Sequence, residues 1–518
     1  MRETSADERS FLERSASGVS ASYWLTRAVL LRAIGAIYAV AFAILVNQGP
    51  SLLGSQGLLP AADYLRRVLV EQESVGRAFF RLPTLFWFSA TDLTLQASSL
   101  FGLALSLLVV AGIVNAPILF VLWALYLSFA HVGQVFYGYG WDILLCETGM
   151  LSVFLAPPLR PRLFSEKDPP PLPIIVLFRW LAFRLMFGAG LIKIRGDECW
   201  RDLTCLYYHY ETQPNPSPLS FYFHHLPNVV HRAGVLFNHL VELVAPFGVF
   251  GPRKVRLVCG ALIVVFQIIL ILSGNLSFLN WLTLAIALAT FDDGVFRRLS
   301  GARVRARLEE LTRSKPKPSR ARVVTVWAFV TVVAFLSLDP IVNLLSPRQR
   351  MNASFDPFDL VNTYGAFGSV GRERFEVVLE GTSSPVLGPD VVWREYEFPC
   401  KPGDPARRPC LITPYHYRLD WQLWFAALSD FRSEPWILNL AYKLLRGDPT
   451  VKPLLAVDPF PNAPPRFVRA RLYRYRFTSS RASGAWWERE LVGEYLRPLS
   501  LEHREFRSVL KSRGWLQN

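Results

Sequence analysis

The sequence predicts a polytopic α-helical membrane bundle of about nine spans, followed by an extracytoplasmic mixed α/β or β-rich domain. Three observations carry that prediction. Hydrophobic residues make up 51% of the 518 and charged residues only 19%, against about 25% charged in soluble domains. Mean hydropathy is +0.25, and the apolar residues gather in long blocks whose connections alternate between basic and non-basic. Beyond residue 338 the chain changes character, to prolines, strand patterns and frequent charge. The net charge of +15 invites a nucleic-acid reading, yet a chain of apolar 20-mers carries its basic residues as topology signals. No nucleic-acid partner is expected; the bilayer is.

A hydrocarbon core about 30 Å thick needs roughly 20 apolar residues in helix. Nine stretches approach that length: 24–46, 95–114, 117–137, 141–156, 172–194, 229–250, 255–272, 276–291 and 323–338. The first is too long for a signal peptide and has no small-residue cleavage site behind it, so it is expected to stay as span one. With the N-terminus inside, the inner connections are 157–171, 251–254 and 292–322. They hold Arg160, Arg162 and Lys167, then Arg253 and Lys254, then ten basic residues from Arg297 to Arg322, including Lys315. The outer turns 138–140 and 273–275 hold none. This is the positive-inside pattern; only Arg66, Arg67, Arg77 and Arg81 in segment 47–94 run against it. The run 297–322 also fits an anionic-lipid site, although topology alone accounts for it. The division expected is an inner tail at 1–22, a bundle at 23–338 with an outer loop at 195–228 and a basic inner loop at 292–322, and an outer domain at 339–518.

In the outer domain, 372–380, 391–398 and 466–477 read as strands between Gly/Pro/Ser-rich turns. Trp421, Trp424, Phe425 and Leu428 fall at i, i+3, i+4 and i+7, an apolar helix face of the kind that usually packs into a core. The six cysteines divide with the topology. Cys146 and Cys259 lie within spans, whereas Cys199, Cys205, Cys400 and Cys410 lie outside in two close pairs. Disulfides persist on the oxidising side of a membrane, so Cys199–Cys205 and Cys400–Cys410 bridges are expected. A zinc site is not: the spacings miss C-x2-C and no paired histidine follows.

Charges inside spans are costly and mark either function or an internal pair. Arg27 and Arg32 sit near the inner end of span one, where they partly snorkel. Asp142 and Glu147 begin span four, Arg179, Arg184 and Lys193 lie on span five, and Glu242 on span six. Two readings stay open: ion pairs between these carboxylates and the arginines, or a polar pocket opening to the outer loop. That loop is rich in aromatics, prolines and histidines (His209, His224, His225). The prolines predict an ordered, non-helical loop that covers a membrane interface or holds a partner. His209 followed by Glu211 also suits acid–base work, but HExxH is absent, as are Walker, G-x-G-x-x-G and G-x-S-x-G motifs. No metal or cofactor is expected.

Several long segments carry a resemblance: YWLTRAVLLRAIGAIYAVAF, WDILLCETGMLSVFLAP, FRLMFGAGLIKIRGDECWRDLTCLYYHYETQPNP, NTYGAFGSV and WREYEFPCKPGDPARRPCLITPYHYRLDWQLWFAAL. Together with SQGLLP, LSGNLSFLNWLT and PPRFVRARLYRYRF, they resemble the lipase maturation factor family, from about residue 22 to residue 490. The resemblance implies a multi-pass protein of the endoplasmic reticulum membrane in animals; in a bacterium the same topology would lie in the plasma membrane. It also implies a chaperone-like activity that helps homodimeric secreted lipases, such as lipoprotein lipase, fold and assemble. Client contacts are then expected from Trp200, Tyr207, Tyr208, His209, Tyr210 and Glu211 of the outer loop, and from Tyr364, Phe367, Tyr415, His416 and Trp421 of the outer domain. A fainter resemblance joins AGLIKIRGDECW to the transmembrane domain of vitamin K-dependent gamma-carboxylases, whose catalytic base falls on Lys193. It implies a membrane enzyme as the alternative. For Lys193 three roles remain: snorkelling, bracing the bundle against Asp142 or Glu147, or acting as a base.

Overall fold

Each apolar block forms a helix, because lipid offers no partner for backbone groups that the segment does not satisfy itself. The computed structural model describes residues 22–161, 163–314, 317–479 and 484–516. The expected inner tail therefore lies outside the described residues apart from Ser22, as do Arg162 and Lys315. Helices α1 (Trp24–Leu53), α2 (Asp92–Ala111), α3 (Ala116–Val132), α4 (Gly140–Leu155) and α5 (Leu172–Arg195) are followed by α6 (Asn228–His239), α7 (Arg253–Ser273), α8 (Leu279–Ala287) and α9 (Arg320–Leu336). Among the described residues, α1, α2, α5, α7 and α9 with its continuation to Leu345 are long and apolar enough to cross a membrane; α8 with the bent segment after it makes a possible sixth. Length and composition thus support five or six spans where about nine are expected, although a helix stands at every expected position. The chain is a multi-pass membrane protein.

Local sequence sets the helix ends. The Thr91 and Asn115 side chains accept the amides three residues on, capping α2 and α3. Gly112 ends α2 at φ +95°, a conformation that costs glycine nothing. Pro246 lacks the N–H its helix needs, and the turn before it, Leu240–Val244, opens into a π-helix that carries Glu242.

The outer domain holds a four-stranded antiparallel sheet in the order β4-β3-β5-β6 and a separate two-residue ribbon, β1 (Ala353–Ser354) with β2 (Asn362–Thr363). The sheet strands are β3 (Arg374–Thr382), β4 (Arg394–Glu395), β5 (Phe467–Phe477) and β6 (Trp487–Leu499). The expected strands at 372–380 and 466–477 are present, but 391–398 shrinks to the two residues of β4. Strand β6 has no clear apolar alternation: only three of its thirteen residues are buried, and exposed ones occur on both faces. Helices α10 (Arg418–Ala427) and α11 (Trp436–Leu445) pack against β3 and β5. Of the predicted apolar face on α10, Trp421 is buried and Trp424 half-buried, while Phe425 and Leu428 are exposed.

One apolar cluster runs without a break from Leu30 and Ile34 in α1, through Leu144 and Leu145 in α4, to Leu423 and Trp436 in the outer domain. The non-helical expectation for the outer loop is corrected: it folds as short helices Glu198–Arg201, Leu206–Thr212 and Pro218–His224. Pro214 and Pro216 fall between helices, and Pro218 takes a first-turn position where a missing N–H is harmless. The basic inner loop likewise contains a helix, Ala302–Ser314, whose Leu308 and Leu311 pack on Trp24 and Leu25.

Candidate functional site

Of the charges placed in the spans by sequence, Asp142, Glu147, Arg184, Lys193 and Glu242 enter three buried ion pairs, two of which are tied to the outer domain. Arg27, by contrast, does not snorkel but is buried, donating to the Leu163 and Asp168 carbonyls. Helix α5 approaches its neighbours through small residues: a Cβ on Gly188 would lie 2.6 Å from the Tyr364 carbonyl oxygen, and one on Gly190 2.6 Å from Leu243 Cδ2. Arg184 on α5 pairs with Glu147 on α4 and donates to the Asn362 carbonyl at 2.5 Å. The second Glu147 oxygen accepts from the Asn362 amide at 2.9 Å and from the Tyr364 hydroxyl at 2.7 Å. Strand β2 and the residue after it are therefore bound to the bundle by a carboxylate that no water reaches.

Asp142 pairs with Arg418, the first residue of α10, through contacts of 2.7 and 2.9 Å, and also accepts from the Tyr126 hydroxyl at 2.5 Å. The Arg418 guanidinium lies 3.5 Å above the Tyr137 ring and donates to the Phe136 carbonyl at 2.7 Å. Gln48 of α1 holds the same segment, accepting from the Arg418 amide at 2.9 Å and donating to the His416 carbonyl at 2.7 Å. The third pair is Lys193 with Glu242, both oxygens at 2.6 and 2.7 Å, with Asn238 at 3.0 Å. Three expectations are corrected here. Asp142 finds its arginine outside the bundle; Lys193 is neither snorkelling nor paired with Asp142 or Glu147; and Arg179 meets no carboxylate, donating instead to the Ala289 carbonyl and the Tyr23 hydroxyl. Distance in sequence hides all three, because the partners lie 276 residues from Asp142, 49 from Lys193, and 110 and 156 from Arg179.

The outer loop is tied to the outer domain along its length. Cys199–Cys205 and Cys400–Cys410 are disulfide-bonded. Trp200 donates through Nε1 to the Phe367 carbonyl at 2.8 Å. Arg374 of β3, fully buried, donates to the carbonyls of Glu211, Gln213 and Pro214 and pairs with Glu376. Asn275 donates to the Cys410 carbonyl at 2.9 Å, anchoring the second disulfide on the outer end of the bundle. His209 and Glu211 point apart. The His209 ring meets Phe367 edge-on at 4.8 Å, and burial beside the Lys193 ammonium pushes its pKa down to about 4. The Glu211 carboxylate accepts from the Phe477 amide at 2.6 Å, and burial pushes its pKa up. No acid–base pair exists between them.

Most of the expected client contacts are interior. Trp200, His209, Tyr210, Glu211, Tyr364, His416 and Trp421 are buried, and only Tyr207, Tyr208, Phe367 and Tyr415 are half-buried. The loop's exposed large apolar groups are instead Leu219 and Tyr222 on the helix Pro218–His224 and Leu226 just after it, which the sequence reading missed because aromatic density does not tell inside from outside. Tyr364, Phe367 and Trp421 do converge, with Tyr139 and Trp141, on a cavity of about 350 Å³ at the seam between bundle and outer domain.

The comparisons follow the same two-part plan. The family model of the lipase maturation factor transmembrane domain matches residues 25–298, and that of the lipase maturation factor C-terminal domain matches residues 360–497. The chain belongs to the lipase maturation factor family. Among its lipase maturation factor relatives, mouse lipase maturation factor 1 is 47% identical over 95% of this chain and 90% of that protein. Human lipase maturation factor 1 is 45% identical over 95% and 91%, and human lipase maturation factor 2 is 31% identical over 95% and 85%. No solved structure matches the chain. The two lipase maturation factor regions end and begin on either side of the basic helix Ala302–Ser314 and α9, so the seam built by Asp142–Arg418 and Glu147–Asn362 joins one region to the other.

Proposed function

We propose that this protein is a membrane-embedded, chaperone-like factor that assists the folding, dimer assembly and maturation of secreted lipases. The observation that carries the reading is 45–47% identity to proteins named lipase maturation factor 1 over 95% of the chain, through both regions. A holding role is supported by the architecture: the Arg418–Asp142 pair and the bonds of Glu147 to Asn362 and Tyr364 fix the outer domain to the bundle, and Arg374 fixes the loop to that domain, so the three present one surface. The accessible parts of that surface are the half-buried Tyr207, Tyr208, Phe367 and Tyr415 and the exposed Leu219 and Tyr222, and these are the proposed client contacts. In this reading the helices make nine spans with the N-terminus inside, the loop 195–228 and residues 339–518 lie in the lumen of the endoplasmic reticulum, and the disulfides form there. The carboxylase-like alternative loses its support at Lys193, because an ammonium held between both oxygens of Glu242 is paired as a structural cation. The test is co-expression with a secreted homodimeric lipase in cells lacking their own maturation factor. Secreted lipase activity per lipase molecule should rise well above an empty-vector control. Normal expression and membrane insertion without that rise would refute the reading.

A further inference from the structure

The cavity at the seam shares Phe367 with the proposed client surface and Tyr364 with the Glu147 network, but its apolar interior has no part in either. No charged side chain lines it. Membrane helices contribute Trp141, Leu185 and Leu279 to its wall, and the outer domain contributes Phe367, Trp421 and Trp424. Its rim includes the exposed Ser369 and Phe425. A peptide main chain drawn into such a space would leave buried amides and carbonyls unpaired, at a cost that apolar contact does not offset. A hydrocarbon chain makes no such demand, and the bilayer that surrounds the same helices supplies one. The polar side chains in its wall, Tyr139, Asn352, Tyr364 and Ser369, are all neutral. The volume, about 350 Å³, lies at the small end of ligand pockets and suits one chain rather than a whole two-chain lipid. We propose that this cavity is a lipid site that takes a single acyl chain of a membrane phospholipid.

The test uses the full chain in phosphatidylcholine vesicles containing a phosphatidylcholine with a diazirine on its acyl chain. After irradiation, adducts are mapped by peptide mass spectrometry. Adducts are expected on 364–369 and 421–425, in addition to those on lipid-facing residues such as Phe101 and Leu107 of α2. Ala366→Trp, which fills the cavity from its half-buried wall residue, should cut the seam adducts about tenfold, the loss that about 1.4 kcal/mol of binding represents. The α2 adducts should not change. Ala366→Leu, a smaller filling, gives a graded loss if the tryptophan variant fails to fold. Adducts confined to lipid-facing helices would overturn the proposal. So would seam adducts indifferent to both fillings, or a seam that takes up an aromatic peptide while excluding the lipid probe.

Discussion

Arg418→Ala is the sharpest perturbation of the seam. Its guanidinium is wholly buried, makes two contacts with Asp142 at 2.7 and 2.9 Å, and stacks on Tyr137. Alanine removes the cation but leaves the Asp142 carboxylate in a buried site, held by the Tyr126 hydroxyl and the Tyr139 backbone amide. Breaking a buried pair from one side costs about 3–5 kcal/mol, which is a factor of roughly 10² to nearly 10⁴ in the population of the opened seam. The assay is limited proteolysis of the purified protein in detergent, following cleavage between α9 and β3. When opening and closing are fast relative to cutting, the cleavage rate tracks that population. Arg418→Met combined with Asp142→Leu should recover most of the loss, because removing both charges removes the burial penalty as well. Parent-like resistance in Arg418→Ala, or a double variant as labile as the single one, would refute the reasoning.

Lys193→Ala should likewise cost about 3–5 kcal/mol and lower the yield of folded protein, while Lys193→Gln with Glu242→Gln should restore it; a well-folded Lys193→Ala without maturation activity would instead argue for chemistry at this lysine. Cys400→Ser opens a loop of sequence separation 10 and should lower stability by about 2–3 kcal/mol, read as a melting temperature below the parent's, a difference that disappears when both proteins are reduced. His209 has a pKa pushed from 6.5 to about 4 in the fold, so its contribution is intact above pH 6.5 and lost as pH falls towards 4, up to about 3 kcal/mol. His209→Gln should flatten that part of the pH–stability curve, and an unchanged acid slope would sink the assignment. For topology, an impermeant thiol reagent applied to the lumenal side should label Gly388→Cys and spare Glu310→Cys, both at exposed positions; the reverse pattern inverts the scheme.

What the sequence made legible was whatever depends on local composition. A run such as Leu172–Ile194 can satisfy its backbone in lipid only as a helix, and α5 is there. Cys199 and Cys205 are near in the chain and lie on the expected oxidising side, and they are bonded. That buried charges such as Glu147 and Arg184 would pair also followed, since an isolated one is too costly. Identity of partners did not follow. Arg418 reads as the polar start of an amphipathic helix, and nothing within 200 residues shows that Asp142 needs it. Burial was equally opaque in the outer loop, where Tyr210 and Tyr222 look alike in sequence but one packs inside and the other faces out. Strand β6 escaped because it carries charge on both faces and buries little.

The sequence separations also impose an order on folding. Asp142 and Glu147 are both made with α4, long before residues 362–364 and 418. Glu147 gains Arg184 only 37 residues later, within the bundle. Asp142 gains no basic partner from any membrane helix among the described residues, and only the neutral donors of Tyr126 and the Tyr139 backbone serve it until Arg418 arrives. A bundle assembled without the outer domain therefore contains one carboxylate without its counter-charge, and that costs several kcal/mol. The same is true of Gln48, whose side-chain groups bond to the Arg418 amide and the His416 carbonyl. Closing of the bundle around α1, α3 and α4 and seating of α10 are thus one event, not two. A chain ending before residue 416 should insert its helices yet leave α3 and α4 open to protease from the outer side, and separate expression of residues 339–518 should not reproduce the seam, because half of its charges belong to the membrane helices.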